Sequence, residues 1–132
     1  MKHGHSSQVL VVEDDPVALE LSLDVLASAG YLVFGVSTVA AALDSVGKSR
    51  PHLVVLDVYL GEEDGLEVVR RLRRNPATRD IPVVASSAST SQVVVERAML
   101  AGCESFLSKP LTPHALLAGV SRALRDQSFD QA

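Results

Sequence analysis

Short apolar runs alternate with segments whose apolar residues recur at helical spacing, and this alternation marks a parallel β-sheet with helices on its faces. Five such units can be read. The first joins a strand at Val9 to Val12 with a helix from Pro16 to Ala29, opened by Asp15 as N-cap, with proline at the first helical position, and closed by Gly30. The second joins a strand near Leu32 to Val36 with a helix from Thr38 to Val46 that Gly47 ends. The third joins Leu53 to Asp57 with a helix from Gly65 to Arg74; Asp64 and Glu67 have the spacing of a capping box, and Asn75 and Pro76 stop the helix. The fourth joins Val83 to Ser86 with a helix within Ser91 to Ala101, stopped by Gly102. The fifth joins Ser105 to Leu107 with a helix from Pro113 to Arg125 that Thr112 caps.

The runs Val9-Leu10-Val11-Val12 and Leu53-Val54-Val55-Leu56 are apolar throughout rather than alternating. That suits central strands covered on both faces. No linker, low-complexity tract or repeat marks a second domain, so the expectation is one domain over residues 8–126, with loose tails at 1–7 and 127–132. His3 and His5 fall in the first tail and read as part of a frayed terminus rather than a metal site. A chain of 132 residues is long enough to bury roughly two-thirds of its unfolded surface in one core.

Composition acts mainly by exclusion. With 47% hydrophobic and 21% charged residues the chain is neither disordered nor fibrous. A net charge of −4 and a pI near 5.5 argue against a general electrostatic grip on nucleic acid. Arg70, Arg71, Arg73 and Arg74 form the one basic cluster and read as a solvated helix face. The single cysteine, Cys103, allows no internal disulfide, which points to a reducing compartment and a cytoplasmic location. No apolar run approaches the length of a membrane span, so no membrane partner is expected.

In open parallel α/β sheets the ligand site lies at the carboxyl ends of the strands. Here the first run ends in Glu13-Asp14-Asp15, the third in Asp57 and the fourth in Ser86-Ser87, while Ser108-Lys109-Pro110 follows the fifth. Carboxylates about 4 to 5 Å apart repel by several kcal/mol at an effective dielectric near 20, so such a cluster needs a cation or must take up protons. Mg²⁺ suits a few carboxylates with waters and a phosphate oxygen, whereas Ca²⁺ wants more protein oxygens.

From about Gln8 to Arg125 the pattern resembles the CheY-like receiver domain of bacterial response regulators. The matching pieces are Val11-Val12-Glu13-Asp14-Asp15, Leu56-Asp57-Val58-Tyr59-Leu60-Gly61 with Asp64-Gly65, Pro82-Val83-Val84-Ala85-Ser86-Ser87-Ala88, and Phe106-Leu107-Ser108-Lys109-Pro110. The resemblance implies an α/β, doubly wound, flavodoxin-like fold: a five-stranded parallel sheet of strand order 2-1-3-4-5 with five helices. It implies that Asp57 is the phosphoacceptor, taking a phosphoryl group from the phosphohistidine of a histidine kinase or phosphotransfer protein with Mg²⁺. Asp14 would ligate the metal directly, Glu13 through water and Tyr59 through its backbone carbonyl, with Asp57 also in the metal set. Lys109 would pair with Asp57 at rest and with a phosphoryl oxygen afterwards, across a cis peptide before Pro110. Ser87 would bond the phosphoryl oxygen and Phe106 would be the switch aromatic, lacking the hydroxyl of the tyrosine frequent there. On this reading the chain catalyses only its own phosphorylation and slow dephosphorylation, and is not an enzyme. Its output would be an unknown downstream protein target or a phosphorylation-dependent homodimer, whether the receiver stands alone or is a module of a larger regulator.

Two positions depart from the family pattern. Gly61 stands where proline is common, which should leave the loop less restricted, and Glu63 stands where methionine is frequent. Tyr59, at a position that tunes hydrolysis of the acyl phosphate, is expected to shield it from water. The first helix carries two apolar stripes, Ala18, Leu21 and Val25, and Leu19, Leu23 and Leu26. The second is expected to face a kinase or phosphotransfer helix, the alternative being one wide buried arc. Competing functions are a pseudo-receiver binding module, which the complete acidic and basic set argues against, and a Mg²⁺-dependent phosphohydrolase. The latter would need a general-acid aspartate where Tyr59 stands. Nucleotide binding lacks a glycine-rich loop after the first strand.

Overall fold

The computed structural model describes residues 7–131, with side chains through residue 126; His3, His5 and the rest of the expected N-terminal tail before Ser7 lie outside the described residues. In chain order the elements are β1 (Gln8–Val12), α1 (Pro16–Ser28), β2 (Leu32–Val36), α2 (Val39–Lys48), β3 (Leu53–Asp57), β4 (Tyr59–Leu60), β5 (Glu63–Asp64), α3 (Leu66–Arg74), β6 (Val83–Ser87), α4 (Gln92–Ala101), β7 (Ser105–Ser108) and α5 (Pro113–Gln131). The main sheet runs β2-β1-β3-β6-β7 with every pairing parallel. With the small β4–β5 hairpin set aside, this is the 2-1-3-4-5 order.

The unbroken apolar runs follow from burial on both faces. Leu10, Val12, Val54, Leu56, Val83 and Ala85 pack under α2, α3 and α4, whereas their neighbours Val9, Val11, Leu53, Val55 and Val84 pack under α1 and α5. Each fully buried valine or leucine contributes ~1.5–3 kcal/mol relative to exposure. An alternating polar pattern would therefore have left one side of the sheet uncovered.

Helix starts largely follow their capping residues. Asp15 Oδ1 accepts from Val17 N–H at 3.3 Å, Thr38 Oγ1 from Ala41 N–H at 3.0 Å, and Thr112 Oγ1 from Ala115 N–H at 3.1 Å. The capping box of α3 does not form. Asp64 accepts from Leu66 N–H at 3.0 Å, but Glu67 turns to Arg70 and Arg71 instead of reaching back. Gly47 does not end α2, which runs on to Lys48; nothing lies within 4 Å of the position a Cβ would take there, so the glycine sits on an open helix surface. α5 continues past Arg125 to Gln131.

The stripe of α1 expected to face outward is the one that packs on the core, joined there by Val25 of the other stripe. Leu26 is fully buried, and Leu19 and Leu23 are packed against the core, while Val17 and Leu21 are 65% and 61% exposed. Gly35 in β2 explains this, because a Cβ there would stand 2.9 Å from Leu23 Cδ1 and 3.0 Å from Leu19 Cδ1. The leucines occupy the space the glycine leaves open. Leu19 and Leu23 are thus core residues, and the outward stripe is Val17 and Leu21. Arg73 also departs from a solvated face: its guanidinium donates to the carbonyls of Gly102, Arg79 and Ile81, tying α3 to the end of α4. Beside it, burial pushes the Cys103 thiol up to about 11.

Candidate functional site

The carboxyl edge of the sheet collects the residues that end the strands. Glu13 follows β1 and is held by its N–H to Val36 O at 3.0 Å; Asp57 ends β3 opposite Ser86; Ser87 ends β6 opposite Ser108, and Lys109 follows, its N–H on Ser87 O at 3.0 Å. Parallel register therefore places side chains from distant stretches on one rim. Carboxylate oxygens of Glu13, Asp14 and Asp57 all lie within 4.8 Å of one another, with Glu13 and Asp57 buried and Asp14 exposed.

Lys109 bridges two of the three acids, with Nζ 2.6 Å from Glu13 Oε1 and 2.9 Å from Asp57 Oδ2. The sequence pointed to Asp57 as its partner; the bond to Glu13 is an addition. Partial burial works against the ammonium, but hydrogen bonds and charge from Glu13 and Asp57 outweigh it and hold the Lys109 pKa above its ordinary value. The remaining oxygens are oriented by backbone: Tyr59 N–H donates to Asp57 Oδ1 and Asp15 N–H to Glu13 Oε2, both at 3.1 Å. Ser87 is fully buried, and its hydroxyl oxygen accepts from Ser89 N–H at 3.0 Å, leaving its own proton to donate.

The β4–β5 hairpin was not legible as such. Gly61 has φ +60 and no other residue of the turn has positive φ, the pattern of a type II′ turn with glycine first. A glycine that looked like a source of looseness instead starts a tight hairpin, and the φ it adopts is closed to proline. Gly65 N–H donates to Val58 O at 2.7 Å, so Tyr59 and Asp64 are the non-hydrogen-bonded pair between this bond and the Leu60–Glu63 pair. The Tyr59 carbonyl is therefore not spent within the hairpin. Gly65 itself is required by close approach, since a Cβ there would meet Asp57 O at 2.2 Å and Val58 O at 2.9 Å.

The sequence model described as "Response regulator receiver domain" matches residues 9–121. The chain belongs to this family. The receiver is 32% identical over 118 residues to the polar-differentiation response regulator DivK of Brucella anthropi, covering 89% of this chain and 96% of that protein. It superposes on a putative response regulator from Chloroflexus aurantiacus with TM-score 0.86 and 29% identity, covering 91% and 98% of the two chains. A signal receiver domain of a signal transduction histidine kinase from Syntrophus aciditrophicus gives TM-score 0.83 and 30% identity, covering 91% of each chain.

Receivers of two-component signalling typically bind Mg²⁺ at an acidic cluster, and the residues of this receiver fit a small divalent cation. Three carboxylates against one ammonium leave net negative charge in a half-buried rim, all the donors are hard oxygens, and the Tyr59 carbonyl is free of the hairpin ladder. Phe106 sits opposite Ala85 in the sheet, half-buried against the α2–α4 side of the core. Among the described residues no helix is long and apolar enough to cross a membrane.

Proposed function

We propose that this receiver accepts a phosphoryl group onto Asp57 from the phosphohistidine of a histidine kinase or phosphotransfer protein. The observation that carries the reading is the convergence of Glu13, Asp14 and Asp57 within 4.8 Å, with Lys109 bonded into the cluster. An oxygen of Asp57 attacks phosphorus in line, the oxygen–phosphorus bond forms as the phosphorus–nitrogen bond breaks, and the electron pair leaves with the imidazole. Glu13, Asp14, Asp57 and the Tyr59 carbonyl would hold Mg²⁺, which when bound neutralises charge on the transferring phosphoryl oxygens. Lys109, kept charged by its two carboxylates, exchanges Asp57 for a phosphoryl oxygen. The buried Ser87 hydroxyl donates to another, and the resulting inward pull on its loop is passed to Phe106 through packing. Tyr59, 46% exposed at the lip, screens the acyl phosphate from water. With a tyrosine rather than an aspartate in that place the receiver turns over slowly and acts as a signal carrier, not an enzyme.

The donor's helix is expected to lie along the outward stripe of α1. Val17 and Leu21 are exposed there, and a groove of about 440 Å³ lined by Ala18, Leu21, Val25, Leu111 and Leu116 runs up to Glu13 and Lys109. On the output side, exposed Val93 and Leu100 of α4 offer apolar surface to a target protein or a second copy. The test is intact mass after treatment with a small phosphodonor. A gain of one phosphoryl group that requires both Mg²⁺ and Asp57, and disappears in Asp57→Ala, supports the reading. No gain under any condition would favour a protein-interaction module that works without phosphorylation.

A further inference from the structure

The hairpin that carries Tyr59 is tethered at both of its polar corners. On one side Asp64 Oδ2 accepts from Arg70 of α3 at 3.1 Å and from Arg97 of α4 at 3.3 Å. On the other, Glu63 Oε1 accepts from Val39 N–H at 3.1 Å. Val39 is the first residue of α2, whose opening N–H groups have no partner within the helix. Thr38 takes the N–H of Ala41 and Glu63 takes that of Val39, so α2 is capped partly from within and partly from the hairpin.

What the hairpin holds is the metal rim. Its Tyr59 N–H orients Asp57 Oδ1, its Tyr59 carbonyl lies outside the hairpin's hydrogen-bonded pairs and would be the backbone ligand, and a Cβ on Gly61 would stand 3.6 Å from Asp14 Oδ2. A two-residue strand pair is too short to be stable alone. Its position comes from contacts outside the strand pair: Leu60 is buried in the core, the adjoining Val58 N–H donates to Ser86 O at 2.9 Å, and Glu63 is the polar anchor on the α2 side. We infer that Glu63 is a positioning residue for divalent-cation binding: by capping α2 it fixes the hairpin so that the Tyr59 carbonyl and the Asp57 carboxylate stay in binding register. This rests on the reading of Glu13, Asp14 and Asp57 as the metal site.

The test is calorimetric titration of Mg²⁺ into the unphosphorylated receiver, comparing wild type, Glu63→Ala and Glu63→Gln, with urea unfolding of each metal-free protein alongside. Alanine removes the acceptor, whereas glutamine keeps a carbonyl acceptor without the charge. The expected result is a Kd for Mg²⁺ raised roughly three- to tenfold in Glu63→Ala and within about twofold of wild type in Glu63→Gln, ΔΔG of binding following the usual logarithmic relation. Unfolding midpoints should differ too little to account for the change. Unaltered affinity in Glu63→Ala overturns the inference. Equal losses in both variants also overturn it, since the effect would then be one of charge and not of position. If the wild-type protein itself binds no Mg²⁺, it is the metal-site reading that fails.

Discussion

Replacing Lys109 with methionine removes the ammonium, keeps much of the apolar stem, and leaves Glu13 and Asp57 without their shared counter-ion. Carboxylate oxygens of the three acids lie within 4.8 Å of one another, a separation at which two like charges repel by about 3.5 kcal/mol at an effective dielectric near 20. In the native protein that repulsion is offset by the ammonium at 2.6 Å and 2.9 Å from its two partners. Desolvation takes back part of the attraction, and the Lys109 side chain keeps 21% exposure, so the expected net loss at pH 7 is about 2–4 kcal/mol, below the full cost of breaking a dry pair. The chain has no tryptophan, so unfolding is best followed by circular dichroism. With m of about 2 kcal/mol/M the urea midpoint should fall by roughly 1–2 M. Two controls identify the cause. Saturating Mg²⁺ should shrink the deficit, because a bound cation replaces the missing charge. Alkali should shrink it too: the Lys109 pKa is raised in the folded protein, so its contribution is complete below about pH 10.4 and is lost as pH rises through the native value. An unchanged midpoint, or a deficit indifferent to both Mg²⁺ and alkaline pH, would refute the electrostatic argument.

Four further outcomes follow from particular contacts. Leu21→Asp, on the exposed stripe of α1, should change stability by no more than about 0.5 kcal/mol yet slow phosphotransfer from a protein donor about tenfold, with small-donor phosphorylation untouched. Leu23→Asp, on the core side, should cost at least about 2 kcal/mol in urea unfolding. Gly65→Ala forces a methyl group against the carbonyls of Asp57 and Val58; it should cost about 3 kcal/mol and lower phosphorylation even where the protein remains folded. Tyr59→Asn should shorten the lifetime of the phosphorylated state several-fold, read as decay of the phosphorylated mass; loss of phosphate no faster than wild type would count against the shielding role.

The sheet and its chemical rim were legible in the sequence because both obey local rules. Leu53-Val54-Val55-Leu56 announces a strand covered on two faces, and an acid closing such a run falls at the carboxyl edge wherever the neighbouring strands lie. The orientation of α1 was not legible, since Leu19-Leu23-Leu26 and Ala18-Leu21-Val25 are nearly equal as apolar stripes. What decides between them is Gly35, a residue of another element whose missing Cβ admits two leucines. The hairpin escaped for a related reason: its strands are two residues each and carry no period, and Gly61 signals looseness as readily as a tight turn. Glu67 failed as a cap because Arg70 and Arg71, one helical turn on, compete for the same carboxylate. Gly47 failed as a terminator because an exposed glycine costs a helix only about 1 kcal/mol, which the buried Ala42 and Val46 outweigh.

The most direct test of the central claim is chemical trapping of the phosphorylated protein. An acyl phosphate is reduced by borohydride to an alcohol, so a phosphorylated aspartate becomes homoserine and can be located by peptide mass mapping. After exposure to a phosphodonor and Mg²⁺, homoserine is expected at position 57 alone, and nowhere when Mg²⁺ is withheld. Homoserine in place of Asp14, or labelling at Asp57 that needs no metal, would contradict the account.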